Sequence, residues 1–152
     1  APNWRFIISQ KIPSGGMRIS DLIQNQIFIL LPSEEKSEYT SAVEKMSMAE
    51  NVFFGNKESH MFSWNFQSVE DVFTKNGFVC EAQNVTLSEK KRISAEDIKK
   101  WFDTENSVYG RAMLKALGQS ELQKIVWLLE NYSTKSIFNW KSETAFICIR
   151  AK

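Results

Sequence analysis

The run Thr144-Ala-Phe-Ile-Cys-Ile149 has no polar residues alternating with its apolar ones. A strand that borders water on one face alternates apolar and polar side chains; one that does not is expected in the middle of a sheet with both faces covered. Helices on the sheet are the usual cover, so this segment alone directs the chain towards an α/β fold. Trp4-Arg-Phe-Ile-Ile-Ser9 has the same character and is read as a strand with both faces mostly covered. Pro13-Ser-Gly-Gly16 stops it. Phe78 to Leu87 is read as a third strand.

Helical signals fill the intervals. Ser20 is placed to cap a short helix beginning at Asp21-Leu-Ile23. Ile27 to Leu31 is an apolar run that periodicity assigns neither to strand nor to helix. Pro32-Ser33 opens a helix with Glu34 and Glu35 in the first turn, where the helix dipole favours acids. Tyr39, Ala42, Val43, Met46 and Phe53 lie on one face of it. Ser68-Val-Glu-Asp71 resembles a capping box, and Asn76-Gly77 supplies a stop in which Gly takes the left-handed position. Ser94-Ala-Glu-Asp97 opens another helix that presents Ile98, Trp101 and Phe102. Val108 to Leu117 follows and closes at Gly118; Ser120-Glu-Leu-Gln123 then caps a last helix with Leu122, Ile125, Val126 and Leu129 buried. The expectation is a single domain over residues 1–152: a small mixed sheet of about three strands with several helices.

With 11 Phe and 5 Trp the chain has ample apolar area for a packed interior. A net charge of +1 argues against strong electrostatic binding to nucleic acid or anionic membrane. No apolar run is long enough to span a bilayer, and there is no basic-then-apolar signal peptide. Cys80 and Cys148 sit within predicted strands and read as buried thiols in a reducing compartment, so a cytoplasmic location is expected. One histidine, His60, and no clustered cysteines argue against a zinc site.

Few residues offer chemistry. His60 stands in the polar stretch Asn56-Lys-Glu-Ser-His60 and is read as a solvated loop side chain rather than a general base. Arg18 follows the Gly-Gly turn near the carboxyl end of the first strand, the edge where open α/β sheets hold ligands. It is a candidate ligand contact, with a structural contact the favoured reading. Trp64 and Phe66 flank Asn65 and are candidates for lining a pocket, though aromatic core anchors are favoured. Lys90-Lys-Arg92 with Lys99 and Lys100 is the one basic cluster, and Arg92 is its candidate partner contact. Glu89, Glu96 and Asp97 largely offset it. No role is read from Tyr109, Gly110 or Arg111, and no paired carboxylates, triad or metal spacing stand out.

The element order resembles the end of a class I S-adenosylmethionine methyltransferase. There a fifth strand leads into a helix, a helix ending in Gly-Phe leads into the sixth strand, and a seventh returns antiparallel between them. Trp4–Ser9, the segment after Asn76-Gly-Phe78, and Phe138–Arg150 would be those strands. The fold class implied is a truncated, Rossmann-like α/β sheet. Further stretches resemble one group of proteins: Ile12-Pro-Ser-Gly-Gly-Met-Arg-Ile-Ser-Asp-Leu22, Ala42-Val-Glu-Lys-Met-Ser-Met-Ala-Glu50, Arg92-Ile-Ser94 with Trp101-Phe102, and Asn139-Trp-Lys-Ser142. They are similar to the C-terminal methyltransferase-like region of bacterial fusion proteins whose N-terminal part is an AAA ATPase of the RarA/MgsA type.

The resemblance implies a fragment of a protein of DNA replication and recombination maintenance, cut before the fifth strand and not catalytic alone. The glycine-rich turn and the ribose-binding acid of such methyltransferases have no counterpart here, and neither does a G-x-x-x-x-G-K-[ST] phosphate loop. S-adenosylmethionine and ATP are therefore expected only of the parent protein, and no cofactor of this segment. Expected partners are the upstream domains of the parent, a second copy pairing through an exposed sheet edge as a homodimer, and, through the parent, DNA or replication proteins. The competing reading is a stand-alone interaction module that binds DNA or a replication or repair protein.

Overall fold

The last strand, β3 (Phe138–Arg150), is the middle one of three. This holds in a computed structural model that describes residues 4–152. Its neighbours are β1 (Arg5–Lys11) and β2 (Val79–Lys91), and the sheet is antiparallel in the order β1-β3-β2. β1 and β3 pair without interruption from Arg5↔Arg150 to Lys11↔Thr144. Six α-helices are described besides: α1 (Ile19–Leu22), α2 (Ser33–Phe54), α3 (Phe66–Lys75), α4 (Ala95–Trp101), α5 (Val108–Leu117) and α6 (Gln119–Tyr132). The chain is thus mixed α/β. It divides into two compact units, and the division falls within β2 and within β3.

The first unit comprises Ala1–Gly16, Asn56–Ser88 and Lys141–Lys152. α3 is its one α-helix among the described residues. Phe66, Val69 and Phe73 from α3 pack with Ile8, Ile12, Cys80, Ala145, Ile147 and Ile149. α3 covers one face here, while on the other face Phe146 and Ile7 are exposed, which corrects the expectation that these parts of both apolar strands are covered on both sides. On β3, Ala145, Ile147 and Ile149 are buried while Phe146 between them is 40% exposed. β1 is mostly exposed along its length: Phe6 and Ile7 show 56% and 70% of their surface to solvent. The two point to opposite faces, and the shared reason is positional: an outer strand has a neighbour on one side only. α3 starts three residues before the helix expected after Ser68. Asn65 is the cap: its side chain accepts from the Ser68 backbone N–H at 2.9 Å, while the Asn65 N–H donates to the Ser68 hydroxyl at 3.0 Å. Ser68 therefore completes the box from its third position. Gly77, with φ +85°, ends the turn after α3 as its sequence context predicts.

The second unit comprises Met17–Gly55 and Glu89–Trp140. The ambiguous run Ile27–Leu31 is helical as far as Leu30: a wide turn at Ile23–Ile27 passes into a tight one at Phe28–Leu30, and Leu31 is extended. α2 buries Tyr39, Ala42, Val43 and Met46, the predicted stripe, against Leu22, Ile23, Met113, Ile125 and Leu129. α4 carries the predicted Ser94/Asp97 capping box, with both reciprocal bonds formed. α5 ends at Gly118, φ +80°. α6 follows directly at Gln119 with Gly118 as its N-terminal flanking residue, so Ser120 lies inside the helix rather than capping it. The extended Gly118 backbone joins the two helices without space for a further capping residue.

Candidate functional site

A charged residue occupies the apolar stripe of α2. Glu50 is fully buried, one helical turn beyond Met46. Its carboxylate accepts from the backbone N–H groups of Ile19 at 3.0 Å and Ser20 at 3.1 Å. The Ser20 hydroxyl donates to it as well, and the Tyr109 hydroxyl at 2.7 Å. These two N–H groups belong to the first turn of α1, where intrahelical partners are missing. Glu50 thus does for α1 what Ser20 was expected to do, and Ser20 instead donates to Glu50. No side-chain bond caps α1 from Arg18, its N-terminal flanking residue.

Tyr109 reaches Glu50 because α5 starts very close to the end of α4. Ser107 caps α5: its hydroxyl accepts from Gly110 N–H at 3.0 Å and donates to the Trp101 carbonyl at 2.9 Å. A Cβ at Gly110 would stand 2.8 Å from the Asp103 carbonyl oxygen and 3.0 Å from that of Trp101, so only glycine permits this approach. The Tyr109 ring then packs on Phe53 and Phe102, at 5.6 and 5.8 Å between ring centres. Burial, followed by the adjacent Glu50 charge and hydrogen bond, pushes its phenol well above the ordinary range. Four donors saturate an enclosed carboxylate. The cluster can fasten α1, α2 and α5 together, and it leaves no oxygen open for substrate.

The three predicted contact residues fall in different settings. Arg18 flanks this cluster, with its guanidinium 4.0 Å from the centre of the Phe54 ring. Its Nη1 is buried with no hydrogen-bond partner. Trp64 packs at the edge of the first unit's core, alongside Phe66 and Ile8, as an aromatic anchor. Arg92 is exposed between β2 and the cap of α4. The basic cluster around it is partly engaged. Lys100 pairs with Glu96 at 3.0 Å, and the Lys91 ammonium stands 4.9 Å from the Trp140 ring, which itself stacks on Trp101 at 5.8 Å. Asp97 is held by its cap: the backbone and then the hydroxyl of Ser94 keep its carboxyl below the usual range. His60 is exposed in the turns between α2 and α3.

Concave surfaces occur in both units, and two of them are described in turn. One, of about 450 Å³, lies on the open face of the first unit's sheet between Ile7, Phe146, Cys148, Glu81 and Gln83. Arg150 crosses that face towards Glu81 at 3.8 Å. The other, about 740 Å³, is a groove between α4 and α6 over Ile98, Phe102 and Val126, with Glu105 and Glu130 at its rim. Neither gathers a nucleophile, a base and an orienting group. Among the described residues no three His, Cys, Asp or Glu side chains stand together as metal ligands, and no helix is long and apolar enough to cross a membrane.

The sequence signal for Glu50 was present. Met46 and Phe53 bracket it at helical spacing on one face, so an acid there implied a buried, partnered carboxylate. Tyr109 carried no such signal, because its partner is 59 residues away. No protein-family model, curated protein or solved structure matches this chain.

Proposed function

We propose that the chain is the closing part of a methyltransferase-like fold that has no catalytic role of its own. It serves as an interaction part of a larger protein of the RarA/MgsA ATPase kind. The observation that carries this reading is the strand order. β3 runs antiparallel in the middle of β1-β3-β2, the arrangement of the fifth, seventh and sixth strands of class I methyltransferases. A plain meander would place β2 at the centre. A non-catalytic role is supported by the side chains: Glu50, the one buried charged residue among the described residues, is saturated by its own helices. Neither concave surface joins an apolar wall to convergent polar groups.

Isothermal titration of the 152-residue chain with S-adenosylmethionine tests this. No heat beyond dilution is expected, and tight saturable binding would refute a non-catalytic part. A second reading, direct DNA binding, is favoured by the exposed Lys90, Arg92 and Lys99. It requires a shift of a forked DNA probe that weakens with added salt and with Arg92→Glu.

A further inference from the structure

α6 carries more apolar surface than its own core uses. Ile125, Leu128 and Leu129 are fully buried in the core of the second unit. Val126 and Trp127 lie off that stripe; Val126 is half-buried and Trp127 is 47% exposed. Val126 belongs to one wall of the α4–α6 groove, and Ile98 and Phe102 to the other. A second hollow of about 390 Å³ shares Phe102, Val126 and Glu130 with this groove and prolongs it along α6 past Trp127 to Gln119. From Gln119 to Glu130 the helix rises roughly 16 Å, about three turns. The Trp127 ring is held by stacking on Tyr39, 6.1 Å between centres and 6° between planes. Tryptophans placed in this way are frequent anchors of protein interfaces.

Charge decides which partner suits the trough. Glu96, Asp103, Glu105 and Glu130 line it against a single ammonium, Lys99, in a chain whose net charge is +1. Lys100 pairs with Glu96 at 3.0 Å. Arg111 donates to the Glu105 backbone carbonyl at 2.7 Å and not to its carboxylate. Among the described residues no ion pair forms at Asp103, Glu105 or Glu130. The acids gather in the α4 half, and the half beside Trp127 adds none beyond Glu130. Both walls are helical, so an extended peptide would find no strand edge to pair with, whereas a helix brings its own hydrogen bonds.

We propose that this groove holds a short amphipathic helix of a partner protein, its apolar face on Val126 and Trp127 and its lysines or arginines beside Asp103, Glu105 and Glu130. Cations on the partner meet acids that have no partner in the chain, and about three turns of helix fill the length of the trough. The same acids repel nucleic acid from this face. The proposal depends on the groove alone. It goes beyond the methyltransferase-like reading, and the S-adenosylmethionine titration bears on that reading and not on the groove.

A phage-displayed library of helical peptides provides the test, with Leu and Phe fixed on one face and flanking positions drawn from Lys, Arg, Gln, Glu and Asp. Selection on the whole chain should enrich Lys or Arg at the flanks. An enriched peptide, followed by fluorescence polarisation, should bind more weakly as salt rises. Glu105→Lys with Glu130→Lys, both at exposed positions, should leave the melting curve unchanged. Each reversal removes an attraction and adds a repulsion, so together they should weaken the peptide by roughly five- to thirtyfold. Trp127→Ala should weaken it by about tenfold. Glu38→Lys with Glu44→Lys, equal reversals at exposed positions of α2 outside the groove, should have no effect. A library without enrichment, enrichment of neutral or acidic flanks, or a peptide that responds alike to the two pairs of reversals would each overturn the proposal. Self-association of the chain that is lost with Glu105→Lys and Glu130→Lys would also overturn it, by giving the groove to a second copy.

Discussion

Replacing Glu50 by glutamine changes one atom and should cost the protein much of its stability. Each carboxylate oxygen accepts one backbone N–H, Ile19 on Oε1 and Ser20 on Oε2. The Ser20 and Tyr109 hydroxyls can rotate to accept from an amide, but a backbone N–H cannot. Whichever way the substituted side-chain amide turns, its NH₂ group must face one of the two N–H groups, leaving two donors opposed in a fully buried site. A buried unsatisfied polar group costs about 1–3 kcal/mol, so a loss of about 3 kcal/mol is expected. For a chain of this size that lowers Tm by roughly 6–12 °C. Tyr109→Phe removes only one of the four donors, and the carboxylate keeps the others. It should cost about 2 kcal/mol, the worth of a hydrogen bond to a charged group. Urea unfolding followed by far-UV circular dichroism measures both. A Glu50→Gln midpoint equal to the parent's, or a larger loss for Tyr109→Phe than for Glu50→Gln, would refute the assignment.

Glycine positions should separate by mechanism. Gly110→Ala forces a methyl group onto the Asp103 and Trp101 carbonyls and should cost about 2–3 kcal/mol in the same assay, as overpacking does. Gly118→Ala has open space around it and pays only for the positive φ, about 1–2 kcal/mol. The Asp97 cap should give an acid-dependent contribution. Its folded-state carboxyl is depressed by the Ser94 bonds, so its stabilisation is present above the unfolded value of about 3.9 and is lost as pH falls through the lower folded value. Asp97→Asn should flatten that part of the stability–pH curve, and a curve unchanged in shape would exclude Asp97 as its source. Ser94→Ala should cost about 1 kcal/mol at neutral pH, the usual worth of such a cap.

Legibility in the sequence followed the range of the interaction. The Ser94/Asp97 box, Gly77, Gly118, and the face of α2 from Tyr39 to Met46 rest on neighbours a few residues away, and all appear as read. The cap of α3 was displaced by one box length, because Asn65 and Ser68 are both good capping residues and Ser68 serves from the third position. Of the contact candidates, Trp64 packs into a core. Arg18 rests on a phenylalanine beside the buried carboxylate and Arg92 remains at solvent, so no common site joins those two.

By itself the sequence determined that there would be strands at both ends and between them capped helices, since propensity, periodicity and capping are local properties. It also determined the mixed α/β class. Only the tertiary structure decided that Phe146 and Ile7, opposite α3, stay exposed, and that Glu50 rather than Ser20 holds the start of α1. The physical reason is the same in each case. An apolar run records how readily a segment forms a strand and packs, but its burial depends on which elements reach it. The partners of Glu50 are 30, 31 and 59 residues distant, and no local pattern encodes such a meeting.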